Sequence, residues 1–182
     1  VPRAQTDTVP DGFQIRVVER LGEHEIEGLS DVLIDCVEGG ASVGFMPPMS
    51  RAKAAAYWRE VSASVTRGER IVIAAEDAVG AIVGTVQLLL DVPENQLHRG
   101  DIAKMLVQRR ARRRGLGAAL LAAAEDCARS AGRTLLVLDT ASGDAERLYR
   151  RRGWQRCGRI PEYALFPDGT PCATTIYFKS LR

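Results

Sequence analysis

A chain of 182 residues is about the size of one domain, and it can bury a core without disulfides or a structural metal. Hydrophobic residues make up 46% and charged residues 26%, and the formal net charge is only +2, which argues against a chain built to coat nucleic acid or an anionic membrane. No stretch approaches the ~20 apolar residues of a membrane-spanning helix, and the N-terminal stretch lacks the apolar centre of a signal peptide.

Residues 1–12 read as a loose segment ahead of a single domain over 13–182. Four cysteines (Cys36, Cys127, Cys157, Cys172) are scattered, with no CxxC pair. They read as small buried apolar residues, which suits a reducing, cytoplasmic setting.

Residues 13–18 alternate and predict a strand. From Glu23 to about Glu38, Ile26, Leu29, Leu33, Cys36 and Val37 form one apolar stripe of a helix, which Gly39 and Gly40 end. Residues 39–49 hold glycines and prolines together with Val43, Phe45 and Met46. They predict an irregular loop that packs over something. Ser50 is the expected N-cap of a second helix with Ala54, Trp58, Val61 and Val65 on its buried face and Gly68 after its end.

Two β-rich runs follow, residues 71–76 and 81–90, and the short link 77–80 makes them a hairpin. Residues 91–100 read as a loop and 101–107 as a strand. The Ala/Leu-rich stretch from Gly115 or Leu116 to about Ser130 is a helix ended by Gly132. The apolar run 134–139 predicts a strand buried on both faces, in a parallel pair joined by a crossover helix. Residues 143–152 read as a helix, 154–160 as a strand, 161–171 as a loop and 174–181 as a last strand. The order implies an α/β (mixed α+β) fold with a mixed central sheet of about six to seven strands and helices on both faces.

The informative segment lies between the strand at 101–107 and the Ala/Leu helix. Five of the six residues from Arg109 to Arg114 are arginine, and Gly115-Leu116-Gly117 follows. The first N–H groups of a helix lack internal partners and sit at the positive end of its dipole, so they form an anion site. Glycine lets a pyrophosphate approach the backbone, and arginine adds charge for further phosphates. A solvated basic turn, or a basic patch for nucleic acid, is the competing reading. Near-neutral total charge and the lack of aromatics among the arginines weigh against nucleic acid.

Arg112-x-x-Gly115-x-Gly117, after a strand and before a helix, resembles the acetyl-CoA motif [QR]-x-x-G-x-[GA] of the GNAT (GCN5-related) N-acetyltransferases. Residues 148–154 resemble that family's LYxxxGF segment, with Ser142 where an Asn is usual. GGASVGFM (residues 39–46), LDT (138–140) and TxIYFKxL (174–181) are similar to the tabtoxin-resistance branch of the family. This implies a GNAT domain that moves an acetyl group from acetyl-CoA to a primary amine of a small molecule. An amino-acid-like toxin or antibiotic would be the substrate, in a resistance or self-protection role. A peptide N-terminus or protein lysine is the alternative acceptor, and a non-catalytic acyl-CoA sensor the alternative of another class.

The same resemblance implies the site. The main chain of Met105, Leu106 and Val107 would hold the pantetheine arm, and one N–H there would polarise the thioester. The phosphates would lie on Arg112, Arg113, Arg114, Gly115, Leu116, Gly117 and Ala118, with Ser142 nearby. Tyr149 stands where the family's general acid stands; its position alone would suit a core aromatic of an amphipathic helix, and the whole motif favours the acid.

An alkyl ammonium with a pKa near ~10.4 must lose a proton before it attacks, so a base or charge partner is expected. Asp101, at the start of the loop-bearing strand, and Asp139, at the carboxyl end of the apolar strand, are the candidates. Either is otherwise a solvated strand end or a helix cap. Tyr163 and Tyr177 are candidates for shaping the acceptor site, and Tyr57 for lining a pocket. His24 and His98 read as exposed, and no metal-ligand spacing is present.

Overall fold

The computed structural model describes residues 9–182. Of the segment expected to be loose, residues 1–8 lie outside the described residues, and 9–12 lead into the first strand through a turn closed by Phe13 N–H on Pro10 C=O. The elements run β1 (Phe13–Val18), α1 (Glu23–Glu38), α2 (Arg51–Thr66), β2 (Arg70–Asp77), β3 (Ile82–Leu89), β4 (Arg99–Val107), α3 (Leu116–Ser130), β5 (Leu135–Thr140), α4 (Gly143–Arg151), β6 (Gln155–Leu165) and β7 (Pro171–Ser180). The strands form one mixed sheet in the order β1-β2-β3-β4-β5-β7-β6. Among the described residues, only β4 and β5 pair in parallel, across the α3 crossover.

The helices divide between the two faces, as the alternation predicts. Ile73, Val83, Leu88, Ile102, Leu136 and Leu138 point toward α3 and α4, where they meet Leu120, Tyr149 and Trp154. Val72, Ala74 and Leu106 point the other way, onto Leu29, Leu33 and Trp58 of α1 and α2. Burying one leucine fully contributes about 1.5–3 kcal/mol, so the stripe read along α1 is enough to fix it to the sheet. The caps follow the sequence: Ser50 Oγ accepts from Lys53 N–H at 3.2 Å, and Gly40 beyond α1 takes φ +85.

Three expectations need correction. The run 134–139 is not buried on both faces. Leu136 and Leu138 are buried, while Leu135 and Val137 are half-buried, because no helix covers their side of the sheet. Residues 161–165 are not loop: β6 continues through Pro161, past a bulge between Ile160 and Ala164 at which Glu162 takes φ +52. Pro161 lacks an N–H and is tolerated because β6 is the sheet's outer strand. Residues 99 and 100, expected in the loop, already belong to β4, after a short 3-10 turn at Glu94–Gln96.

Candidate active site

The parallel pairing of β4 and β5 covers only Arg99↔Leu135, Gly100↔Leu136 and Asp101↔Val137. Beyond that point β4 runs on to Val107 and β5 to Thr140 with no ladder between them, so the sheet splits into a cleft. A bulge in β4 contributes to the split. Gln87 faces Ala103 and Thr85 faces Leu106, so Lys104 and Met105 together oppose Val86. Lys104 carries the strain, at φ +48. A bulge re-aims the backbone, and here it does so on the wall of the cleft.

At the end of that wall β4 enters the arginine turn and α3. Gly115 caps α3 at φ +84, and the first helical bonds close on its carbonyl from Ala118 and Ala119. Among the described residues, no acceptor is paired with the N–H groups of Arg113, Arg114, Gly115, Leu116 or Gly117. Gly117 is tightly packed on one side, where a Cβ would lie 3.2 Å from the Leu148 side chain of α4. Free N–H groups, a positive helix end and bare glycines fit a diphosphate, with Arg113 and Arg114 exposed beside them.

The arginines are not uniformly mobile. Arg109 N–H and Nε both donate to Asp35, at 2.8 and 2.9 Å. Arg110 donates to Asp77 and to Gln108. Arg112 turns back, with Nε 3.0 Å from the Val107 carbonyl, which the Cys36 thiol also approaches. Arg114 stacks on the Phe13 ring at 4.3 Å. Asp35 and Asp77 thus hold the turn in shape, a role the sequence did not reveal because the partners lie 74 and 33 residues away.

The chemical candidates fall on different sides of the cleft. Tyr149 is 4% exposed and packs between Trp154 and Tyr177, with ring centroids 5.8 and 5.7 Å away. Burial, with the charge of Asp139 adding to it, raises the phenol well above its ordinary value. Asp139 is exposed at the end of β5 and accepts a 2.7 Å bond from Thr174 Oγ1. Asp101 sits where the two strands still pair. Its carboxylate is 2.7 Å from Arg99, and burial, partly offset by that guanidinium, raises its pKa. Ser142 is the N-cap of α4, with Oγ accepting from Ala145 N–H.

Tyr177 does not border the open side of the cleft. It is fully buried on the α4 face, its hydroxyl donating to Glu146 at 2.8 Å. Tyr163 is 58% exposed on the outer strand. His24 and His98 are exposed, and no group of metal-ligating side chains stands together among the described residues.

The α2 side of the sheet carries Gln87 and Arg70, which the sequence did not mark, beside Tyr57, which it named for lining a pocket. Gln87 ties Tyr57 to Arg70: Nε2 lies 3.1 Å from the phenol, and Oε1 accepts from Arg70 Nη1 at 2.6 Å. Tyr57 meets Phe45 edge-on at 5.1 Å. The loop 39–49 that carries Phe45 is fastened to the far end of the sheet, by Ser42 Oγ on the Leu165 carbonyl at 2.8 Å. That loop closes over the face, as its apolar content predicted. Lys104, from the bulge, extends under it to 5.8 Å from the Phe45 centroid.

The family model of the acetyltransferase (GNAT) domain matches residues 67–156, which run from the end of α2 through the cleft and the arginine turn into β6. An uncharacterized N-acetyltransferase from the hisH-hisA intergenic region of Azospirillum brasilense is 30% identical over 145 residues, covering 79% of this chain and 80% of that protein. Among solved structures, a GNAT phosphinothricin acetyltransferase from Sinorhizobium meliloti, in complex with acetyl-CoA, superposes with a TM-score of 0.76 at 16% identity over 93% of this chain and 88% of its own. A ribosomal-protein-alanine N-acetyltransferase from Brucella melitensis does so with a TM-score of 0.74 at 22% identity, over 92% and 99%. These two share the fold; the longer sequence likeness carries the kinship. The chain belongs to the GNAT family of N-acetyltransferases.

Proposed function

We propose that residues 13–182 act as one acetyltransferase domain that moves an acetyl group from acetyl-CoA to a primary amine of a small molecule. The observation that carries the reading is the split between β4 and β5, with free helix-end N–H groups at its head and Asp139 and Tyr149 on its far wall. Bound acetyl-CoA supplies an activated thioester carbonyl. The N–H groups at 113–117, with Arg113 and Arg114, hold the diphosphate. The main chain of Met105, Leu106 and Val107 orients the arm and offers the carbonyl oxygen a donor.

Asp139 is the better of the two carboxylates for the amine. It lies about 7 Å along β5 beyond the last paired residue, inside the cleft, whereas Asp101 is held by Arg99 at the pivot. Asp139 attracts the ammonium and accepts its proton, directly or through water. Tyr149 stays protonated at neutral pH. A phenol raised this far is a poor outright acid toward a thiol group, whose pKa is near ~8.5. Its part is to donate a hydrogen bond to the departing sulfur; the thiolate takes up, through water, the second proton that the attacking nitrogen sheds as the amide forms, and Tyr149 keeps its own.

The closed loop 39–49 supports a small acceptor over a protein lysine. Resemblance to the tabtoxin-resistance branch supports an amino-acid-like toxin or antibiotic and a cytoplasmic, protective role. Among the described residues no helix is long and apolar enough to cross a membrane. Calorimetric titration with acetyl-CoA, then thiol release over a panel of small amines, tests the reading. Binding with turnover on one amine class is expected; binding without turnover on any amine, peptides included, would favour a sensor.

A further inference from the structure

Lys104 is half-buried on the cleft wall and makes no hydrogen bond or ion pair with any described residue. Its ammonium instead faces the Phe45 ring, and a Cβ on Gly44 would lie 3.6 Å from it. A second ammonium, Lys53, sits 5.9 Å from the same ring. Arg70 lies close enough for its charge to act on Lys104, and its Nε is buried with no partner. Burial, then Arg70, lowers the pKa of Lys104, and Asp139 only partly restores it. Lys53 is exposed and donates to the Met46 carbonyl at 3.0 Å, so Lys104 and the Arg70 Nε are the cationic groups under this loop left without a partner among the described residues, and Asp139 is the carboxylate whose charge reaches Lys104. A positive φ at a lysine adds a backbone cost to this arrangement. Unpaired charge and backbone strain held together in a cleft point to a ligand of opposite charge.

We propose that the acceptor carries a carboxylate, held by Lys104 and Arg70 beside the Phe45–Tyr57 wall while its amine lies toward Asp139. This rests on the small-amine reading above and narrows it to amino acids and their analogues. The planar guanidinium of Arg70, fixed on Gln87, offers a donor that matches a carboxylate, and Lys104 offers a point charge. The bound anion would return to Lys104 the countercharge that the fold withholds. The separation of a cationic wall from Asp139 then sorts a zwitterion into one orientation.

The test is thiol release with acetyl-CoA and matched acceptors, each α- or β-amino acid against its own primary amide. The wild type should favour each acid by ~10-fold or more in kcat/KM, mainly through KM, as expected for a charge-assisted contact made before the chemistry. The amide's amine is less basic, so any bias in the comparison runs against this expectation. Lys104→Met should bring the ratio near one, and Lys104→Arg should retain most of it. Should Lys104→Met fail to fold, Arg70→Gln and the wild-type ratio still decide. Equal use of acid and amide by the wild type, or an unchanged ratio in a folded Lys104→Met, overturns the carboxylate site and leaves small-amine acetylation standing. Acetyl-CoA binding with turnover of peptides alone removes both.

Discussion

Asp101 and Val137 are the last residues at which β4 still pairs with its parallel neighbour β5. Everything the site can do depends on the strands parting there, and of the two candidate carboxylates Asp101 stands at that point while Asp139 lies beyond it on β5. Asp139→Asn should lower kcat/KM by about 100-fold, the usual scale for a general base, with partial recovery at high pH as free amine accumulates. Asp101→Asn should cost much less turnover and act mainly by releasing Arg99. Steady-state pH profiles of both variants check the assignment; equal losses would return Asp101 to the mechanism.

Tyr149→Phe isolates the phenol. Its hydroxyl has no hydrogen-bond partner among the described residues, so removing it leaves the packing with Trp154 and Tyr177 in place. The melting temperature and acetyl-CoA affinity should stay nearly unchanged while kcat falls by about 10-fold to 100-fold. An unchanged kcat would make Tyr149 a core aromatic and nothing more.

Gly117→Trp should abolish acetyl-CoA binding. An indole there cannot turn toward α4, where even a Cβ is already 3.2 Å from Leu148, so it must enter the space before the helix end. Calorimetry that still shows binding by a folded variant would mean the diphosphate lies elsewhere.

Asp77 links the β2–β3 turn to the arginine turn. It accepts from Val79 and Ala81 N–H groups and from Arg110. Burial alone would raise its pKa; the bonds from Ala81, Arg110 and Val79 overcome this and lower it from 3.8. The stabilisation is therefore complete above 3.8 and is lost as pH falls through the lower folded value. Asp77→Ala should cost about 1–2 kcal/mol in denaturant melts at neutral pH, with a weaker acid dependence, and should weaken acetyl-CoA binding by loosening Arg110. Unaltered cofactor affinity would uncouple the two turns.

Local signals made most of the fold legible. The apolar stripe of α1, the Ser50 cap and Gly115 ahead of α3 each act within one or two turns of chain. Apolar patterning also located most of the strands. It failed at β5, because a run of apolar residues does not say whether a helix will cover the second face. It failed again at Pro161, because only the finished sheet makes β6 an outer strand. The proposed diphosphate site could be read from sequence because one contiguous motif builds it. The proposed acceptor side was read only in part: Tyr57 and the loop of Phe45 were marked, but Arg70, Gln87 and Lys104 come from separate elements, and a lysine in a strand carries no mark that its neighbours will leave it without a counterion.

That isolation of Lys104 gives a stability prediction independent of turnover. A half-buried ammonium with a lowered pKa destabilises the folded protein wherever it is charged. The sign follows: the penalty is full at low pH and fades as pH rises from the lowered folded value toward 10.5. Lys104→Met keeps the aliphatic length and removes both charge and penalty. It should therefore raise the melting temperature at neutral pH even as it damages the use of acidic acceptors, a trade of stability against function. The gain should shrink as pH approaches the lysine range. Melting curves from neutral to alkaline pH, wild type against variant, check this. A lower melting temperature at neutral pH would mean that the attraction of Asp139 and the Phe45 contact outweigh burial, and that Lys104 supports the fold rather than waiting for a ligand.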